Sequence, residues 1–328
     1  MKLSLIVPAY NEEQNVKPFQ EAVINAFSEC EYPYEIIFID DGSTDKTLNR
    51  LRQLCLENKC PLKVISFSRN FGKEAAIYAG LEKASGEYIS LIDADLQQRP
   101  EIVRDMVNFL DSNPEYDIVA AYQDRRSEGK ILSFFKKMFY KIINQLASVT
   151  LKSDASDFRT FRRSVAESML RLKEYHRFSK GIFSWVGYQT YYIPYVACDR
   201  KIGTSKWNFF KLLNYAISGI VGFSTKPLRL SSNIGALTAI MALVYLIVVL
   251  YQKLVIGIPI PGYATIIILI LLLGATQLFC IGIIGEYVGQ TFEQSKGRPI
   301  YIAKETFDNS PDNSYQSSAD LQYNANND

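Results

Sequence analysis

Between Arg229 and Lys253 the chain carries no charged residue, and between Lys253 and Glu286 it again carries none. Each interval holds an apolar stretch, about Ile234 to Tyr251 and about Tyr263 to Ile284, close to the roughly 20 residues a helix needs to cross a bilayer. One such run is compatible with the core helix of a soluble domain. Two in succession, the second reading "ATIIILILLLGATQLFCIGII", are more than one domain of this chain could cover, so they predict a transmembrane hairpin over about 232–252 and 263–285. The connection "QKLVIGIPIPG" has one lysine, whereas Lys211, Lys226 and Arg229 precede the first span and Lys296, Arg298 and Lys304 follow the second. The bias of basic residues toward the cytoplasm then puts both flanks inside and makes the chain a multi-pass protein of the cytoplasmic membrane. Gly274 and Gly282 in the second span let helices approach closely, within one chain or between copies as a homo-oligomer.

The hairpin divides the chain into residues 1–228, the span region 229–290 and a tail, 291–328. The tail ends in "FDNSPDNSYQSSADLQYNANND", polar and nearly free of aliphatics, and is expected to be largely disordered. A net charge of +2 says nothing about nucleic acid, and Lys130 to Lys141 form a local basic cluster; no nucleic-acid partner is expected. Residues 130–147 place Ile131, Phe134, Phe135, Met138, Ile142 and Leu146 at helical spacing beside those lysines, which suits a helix on an anionic membrane surface or one packed on the core with its lysines in water. A second amphipathic interfacial helix is expected over 206–222. Five scattered cysteines with no C-x-x-C pair argue against a disulfide framework and against a thiolate zinc site.

From residue 3 to about 122, "LSLIVPA", "EIIFID", "LKVISFS", "YISLID" and "DIVAAY" alternate with amphipathic stretches, the rhythm of an α/β domain with a mostly parallel sheet. Ligands of such sheets sit beyond the carboxyl ends of the strands. The residues there are Pro8, Tyr10, Asn11 and Glu12 after the first, "DDGSTD" (Asp40 to Asp45) after the second, and "RNFGK" (Arg69 to Lys73) after the third. The fourth supplies Asp93, Asp95 and Gln97. In an extended chain, residues two apart project to one side, so these three present oxygen donors to one point, and hard oxygen donors suit Mg2+ or Mn2+. Acidic residues after a strand are also common in solvated turns, and Ser43 or Thr44 would equally cap the next helix. "DASDFRTFRRS" and "DRKIGTSKW" add Asp157, Arg159, Arg162, Arg163, Arg200 and Lys206, cations ahead of a membrane hairpin that would meet either a bound phosphate or lipid headgroups. His176, the single histidine, reads as a loop residue.

Taken together, "LIVPAYNEE", "EIIFIDDGSTDKT", "SRNFGKEAAIYAGLEKASGEYISLIDADLQQRPE", "DFRTFRR" and "RKIGTSKW" with the later "PLRL" resemble the family-two glycosyltransferases of GT-A (Rossmann-like) fold. More narrowly they are similar to the polyprenyl-phosphate branch, the bactoprenol glucosyltransferase and dolichyl-phosphate mannose synthase group, from residue 3 to about 290. That resemblance implies that Pro8, Tyr10, Glu12, Asp40, Lys73 and Asp93 hold the nucleotide sugar. It implies further that Asp93, Asp95 and Gln97 hold Mg2+ or Mn2+ and the diphosphate, and that Asp95 and Asp157 are catalytic. Asp157 occupies the acidic acceptor-side position, and Arg125 or Arg126, Arg200 and Lys206 meet phosphates. The implied reaction is metal-dependent, inverting transfer of a sugar, glucose from UDP-glucose as first choice, to undecaprenyl (polyprenyl) phosphate, for modification of cell-envelope glycans. Where the family often has His-Pro-Pro after "DADLQ", this chain has Gln98-Arg99-Pro100, and Arg99 stands without a role.

Two other functions share some of these motifs. A processive polysaccharide synthase would need a channel that two spans cannot enclose, and the Q-x-x-R-W acceptor motif is absent. A non-catalytic membrane protein that only binds nucleotide sugar would have no use for the full set of metal and phosphate residues.

Overall fold

The structure is a computed structural model that describes residues 1–123, 155–196, 220–256 and 262–309. Strands β1 (Leu3–Ala9), β2 (Tyr34–Asp40), β3 (Leu62–Phe67) and β4 (Tyr88–Leu91) alternate with helices α1 (Val16–Phe27), α2 (Thr47–Glu57) and α3 (Lys73–Lys83). After α4 (Pro100–Ser112) come β5 (Ile118–Gln123), β6 (Ala155–Arg162), α5 (Arg163–Arg171), α6 (Ser179–Trp185) and β7 (Thr190–Tyr195). Two long helices follow, α7 (Lys226–Tyr251) and α8 (Tyr263–Ser295), and then β8 (Ala303–Asp308).

All eight strands form one sheet in the order β7-β5-β6-β4-β1-β2-β3-β8. Four of its seven pairings are parallel; β4–β6, β5–β6 and β3–β8 are antiparallel. The expected α/β class with a mostly parallel sheet is what forms. The reason lies in the strands themselves, which are apolar at consecutive positions because both faces are covered. Ile36 and Phe38 pack with α1, α2 and α4 through Val16, Phe19, Leu51 and Val103. Their neighbours Ile37 and Ile39 join the opposite layer, with Ala76, Val165 and Ile182 of α3, α5 and α6. Pro8 is tolerated inside β1 because it lies beyond the last β4 partner, Leu91 opposite Ile6, so its missing N–H leaves no ladder bond unmade.

α7 and α8 are each long and apolar enough to cross a bilayer, and their apolar side chains are mostly exposed. They touch where the Cys280 thiol donates to the Ser231 carbonyl (3.6 Å), and the Tyr287 hydroxyl of α8 donates to the Ser224 carbonyl just ahead of α7 (2.6 Å). α8 continues past the expected end of its span, to Ser295. Its last turn holds the loop between α5 and α6: the Tyr175 N–H donates to Gln294 Oε1 (2.7 Å), Gln294 Nε2 donates to the Lys173 carbonyl (3.0 Å), and His176 faces Glu293 at 3.7 Å.

Within the expected tail, the described residues include a strand. Residues 303–308 add β8 to the free edge of β3, with Lys63 opposite Asp308 and Ser66 opposite Glu305. Tyr301 stacks on Phe67 at 4.8 Å and donates its hydroxyl to Glu82, while Arg52 pairs with Glu305 and lies over Phe307. The sequence "AKETFD" is polar because an edge strand has little to bury, and composition alone therefore reads it as tail. The folded domain thus takes its last strand from beyond the hairpin, not from 1–228 alone. The helix expected over 130–147, and 206–219 of the second, lie outside the described residues.

Candidate active site

The loops after β1 and β2 are interlocked. Asn11, at a positive φ of 55°, donates its N–H to Ser43 Oγ (2.9 Å) and receives the Thr44 N–H on its side-chain oxygen (2.9 Å). The Glu12 N–H donates to Thr47 Oγ1 (2.8 Å), and the Lys46 N–H to Glu13 Oε2 (3.0 Å). These bonds give "PAYNE" and "DDGST" one rigid shape and leave Pro8, Tyr10 and Glu12 half-buried at the strand end.

Asp40 and Asp41 face inward. Asp40 accepts the Ser43 N–H (3.1 Å) and the Ser66 hydroxyl (2.7 Å) and is 1% exposed, so in this geometry it shapes the loop with both oxygens engaged. Asp41 accepts the N–H groups of Phe71 (2.7 Å) and Gly72 (3.0 Å) and the Asn70 amide (2.9 Å). Burial pushes its carboxyl up to about 6 against those donors. Between the two loops there is no room for a side chain: a Cβ on Gly42, whose φ is +65°, would lie 2.3 Å from the Arg69 carbonyl carbon. Asp41 therefore fixes the turn that starts α3, and with it Lys73. Nothing in the sequence separates Asp41 from its neighbour in this respect.

Lys73 connects the acidic residues. Its Nζ lies 2.6 Å from Asp93 Oδ1 and 3.3 Å from Asp157 Oδ2. The meeting follows from register. β6 runs antiparallel to β4 with Leu91 opposite Arg159, so the chain leaving β4 toward Asp93 and the part of β6 that carries Asp157 lie at the same end of the sheet. Lost hydration works against the Lys73 ammonium, but Asp93 and Asp157 outweigh it and raise its pKa. Burial likewise works to raise the Asp157 carboxyl, and Lys73, Lys180 and Arg159 overcome it and hold that group far below the usual carboxylate range.

The acidic turn itself is not extended. β4 stops at Leu91, Ala94 and Asp95 are in a turn, and Leu96 has a φ of +61°, so alternation along a strand does not aim Asp93, Asp95 and Gln97. Gln98 is the glutamine that grips Asp93: it receives the Asp93 N–H (2.9 Å) and donates back to Asp93 Oδ2 (3.2 Å). Gln97 gives its backbone N–H to Asp95 Oδ1 (3.2 Å). Among the described residues no group of three His, Cys, Asp or Glu side chains is arranged to hold a metal. Arg99 is exposed just ahead of α4.

Two arginines suggested as phosphate contacts go to the other end of the sheet. Arg162 donates to the carbonyls of Tyr116 (3.1 Å) and Leu110 (2.7 Å) and to the Tyr88 hydroxyl (3.1 Å), and Arg163 to the Ala84 carbonyl (3.1 Å). The antiparallel run of β6 sends them there as it sends Asp157 to the site. Arg125, Arg126, Arg200 and Lys206 lie outside the described residues. Glu74, beside Lys73, accepts both the N–H (2.9 Å) and the hydroxyl of Ser179 and so ties α3 to the start of α6. Burial, with the Asp157 charge adding to it, pushes the Glu74 carboxyl up to about 7 against the Ser179 bonds and Arg177.

Residues 4–170 match the model of glycosyl transferase family 2, and residues 226–291 match that of the GtrB C-terminal hairpin. The chain is a family-two glycosyltransferase. This glycosyltransferase is 42% identical over 304 residues to the putative glycosyltransferase CsbB of Bacillus subtilis, covering 92% of this chain and 91% of that one. It is 40% identical over 306 residues to the bactoprenol glucosyl transferase of Shigella phage SfV, covering 93% and 98%. Among solved structures, glucosyl-3-phosphoglycerate synthase from Mycobacterium tuberculosis, in complex with Mn2+, UDP-glucose and phosphoglyceric acid, is 19% identical with a TM-score of 0.44, covering 67% of this chain and 77% of that chain. Membership of this family accounts for the GT-A fold of the domain.

Proposed function

We propose that this glycosyltransferase moves glucose from UDP-glucose to undecaprenyl (polyprenyl) phosphate at the cytoplasmic face of the membrane, with inversion at the anomeric carbon. The observation that carries this reading is the 40% identity to a bactoprenol glucosyl transferase along 93% of the chain, hairpin included. The acid–cation cluster at the strand ends supplies the chemistry it needs.

Asp93 and Asp95 would hold Mg2+ or Mn2+, with Gln97 beside them. The fit is a matter of donor type and charge: the donors are all oxygen, and an ammonium already stands between Asp93 and Asp157, so the site is built to accept positive charge. Bound there, the ion would offset charge on the departing diphosphate. In the reaction an acceptor phosphate oxygen bonds to C1 of the sugar while the bond from C1 to the diphosphate breaks, its electron pair leaving on the diphosphate oxygen. A phosphate monoester has a second pKa of about 6, so near neutral pH the acceptor needs no base. Asp157, held ionised by three cations, then serves to orient the acceptor and Lys73, not to take a proton.

The strand β8 supports a cytoplasmic placement of both flanks. It joins the same sheet as β1 to β7, so the chain enters α7 and leaves α8 from one side of the bilayer. Lys226, Arg229, Lys296, Arg298 and Lys304 flank the hairpin on that side against Lys253 in the connection, which favours the cytoplasm. The nucleotide contacts of Pro8, Tyr10, Glu12 and Asp40, and the phosphate contacts of Arg125 or Arg126, Arg200 and Lys206, belong to the same reading.

Membranes containing the protein, supplied in turn with radiolabelled UDP-glucose, GDP-mannose and UDP-linked modified sugars and then extracted with organic solvent, test it. Label in a lipid-phosphate-sugar from UDP-glucose is expected. Label in insoluble polymer would support a processive synthase, and nucleotide-sugar binding with no labelled product would leave a binding protein.

A further inference from the structure

Helix α6 stands between the membrane hairpin and the acidic cluster. On one side Phe223, three residues ahead of α7, packs against its backbone so closely that a Cβ on Gly181 would lie 2.7 Å from the Phe223 ring. The loop leading into α6 is the one that the last turn of α8 holds through Gln294 and Glu293. On the other side Glu74 binds Ser179, the first residue of α6, by its N–H and its hydroxyl, and Glu74 is the direct neighbour of Lys73. Both ends of the hairpin and the start of α3 therefore converge on two turns of helix.

Lys180 sits at this convergence. It follows Ser179 and precedes Gly181, is half-buried, and among the described residues makes no hydrogen bond or ion pair. Its charge nevertheless reaches Asp157, whose carboxyl it helps to hold ionised. Lys73, the other lysine near Asp157, is already committed to two carboxylates. An ammonium that is half-buried, has three donors and meets no carboxylate within ion-pair distance among the described residues, on the helix that Glu74 ties to the Lys73–Asp157 pair, is suited to an incoming anion.

We propose that Lys180 is the cation that receives the phosphate group of the lipid acceptor beside Asp157. The inference rests on the acceptor reading above and names a residue for it. A phosphate monoester carrying a charge of about −1.5 to −2 at neutral pH is repelled by ionised Asp157, and the other two cations there are occupied, Lys73 by two carboxylates and Arg159 by the Ser156 carbonyl and the Phe183 ring. Two phosphate sources share this chemistry, the donor's diphosphate and the acceptor's monoester. The contacts of α6 with both ends of the hairpin favour the acceptor, which reaches the site from the bilayer.

The test uses the full chain in detergent or vesicles, with Lys180→Gln, Lys180→Met and Lys180→Arg. Initial rates are measured against polyprenyl phosphate at saturating UDP-glucose, and UDP affinity is measured by calorimetry with MnCl2 present. Both neutral variants are expected to raise the acceptor KM at least about tenfold, the worth of one charge-assisted hydrogen bond. UDP affinity should stay within about twofold, thermal midpoints should be unchanged, and Lys180→Arg should restore most of the acceptor affinity. An acceptor KM within about twofold of wild type in either stably folded neutral variant overturns the inference, as does an equal loss of UDP affinity, which would assign Lys180 to the donor. Absence of sugar transfer to any polyprenyl phosphate by the wild-type protein would instead overturn the acceptor reading itself, and this inference with it.

Discussion

Asp93 and Asp157 come from strands that run in opposite directions, and they share one ammonium: Lys73 Nζ is 2.6 Å from the first and 3.3 Å from the second. The pair is exposed enough for substrate to reach, with the side chains 35% and 27% accessible, and one ammonium shared by two carboxylates leaves the three groups with a net negative charge.

Removing that ammonium should slow transfer. In Lys73→Met, Asp93 loses its ion-pair partner and Asp157 the first of the cations beside it, so the two carboxylates repel the substrate phosphates with less compensation. A loss in kcat/KM of about 10–100-fold at pH 7 is expected in a variant that stays folded. Rates measured at pH 7 check this, and a loss of less than about threefold counts against the cluster.

Asp157→Asn distinguishes orientation from base catalysis. With Asp157 ionised throughout the working range, the inflection in kcat/KM for the acceptor should follow its second phosphate ionisation, about 6. The variant should be slower yet keep that inflection. Its disappearance in Asp157→Asn would make Asp157 the base.

Glu74 makes stability depend on pH. Its carboxyl is raised from 4.5 to about 7 in the folded protein, so between those values the folded state holds more protons than the unfolded one. Stability from this group is accordingly greatest at low pH and falls as pH rises through that window. In Glu74→Gln the fall in thermal midpoint from pH 5 to 7 should be smaller than in the wild type. An equal or steeper fall would show that Glu74 is not the titrating group.

The strand beyond the hairpin should matter to the fold. Tyr301→Ala, which removes the stack on buried Phe67 and the bond to Glu82, is expected to cost about 1–3 kcal/mol. Arg52→Ala, which removes a partly exposed ion pair and a ring contact, should cost about 1 kcal/mol or less. Denaturant unfolding of the two variants measures the difference, and equal costs would mean that β8 is not docked through Tyr301.

Much of the fold is legible in the sequence because β1 to β5 are buried on both faces and read as continuous apolar runs, Ile36 to Ile39 being the clearest. β8 is not, since an edge strand such as "AKETFD" has no core face to advertise it. The site is legible as strand ends but not as contacts. That Asp157 meets Asp93 while Arg162 and Arg163 turn away depends on β6 running antiparallel, which local composition does not encode. For the same reason Gln97 stands out by its spacing, yet Gln98 is the residue bonded to Asp93, because the turn at Leu96 ends the alternation. Asp41, Glu74 and Lys180 act through tertiary neighbours that sequence spacing cannot show.

The most direct measurement is solvent-extractable product in membranes given radiolabelled UDP-glucose, comparing the wild-type protein with Asp95→Asn at equal abundance. Label should appear in polyprenyl-phosphate-glucose for the wild type and fall to background in the variant, while the variant remains folded. Equal label in both, or label only in polymer, would contradict the proposed site and reaction.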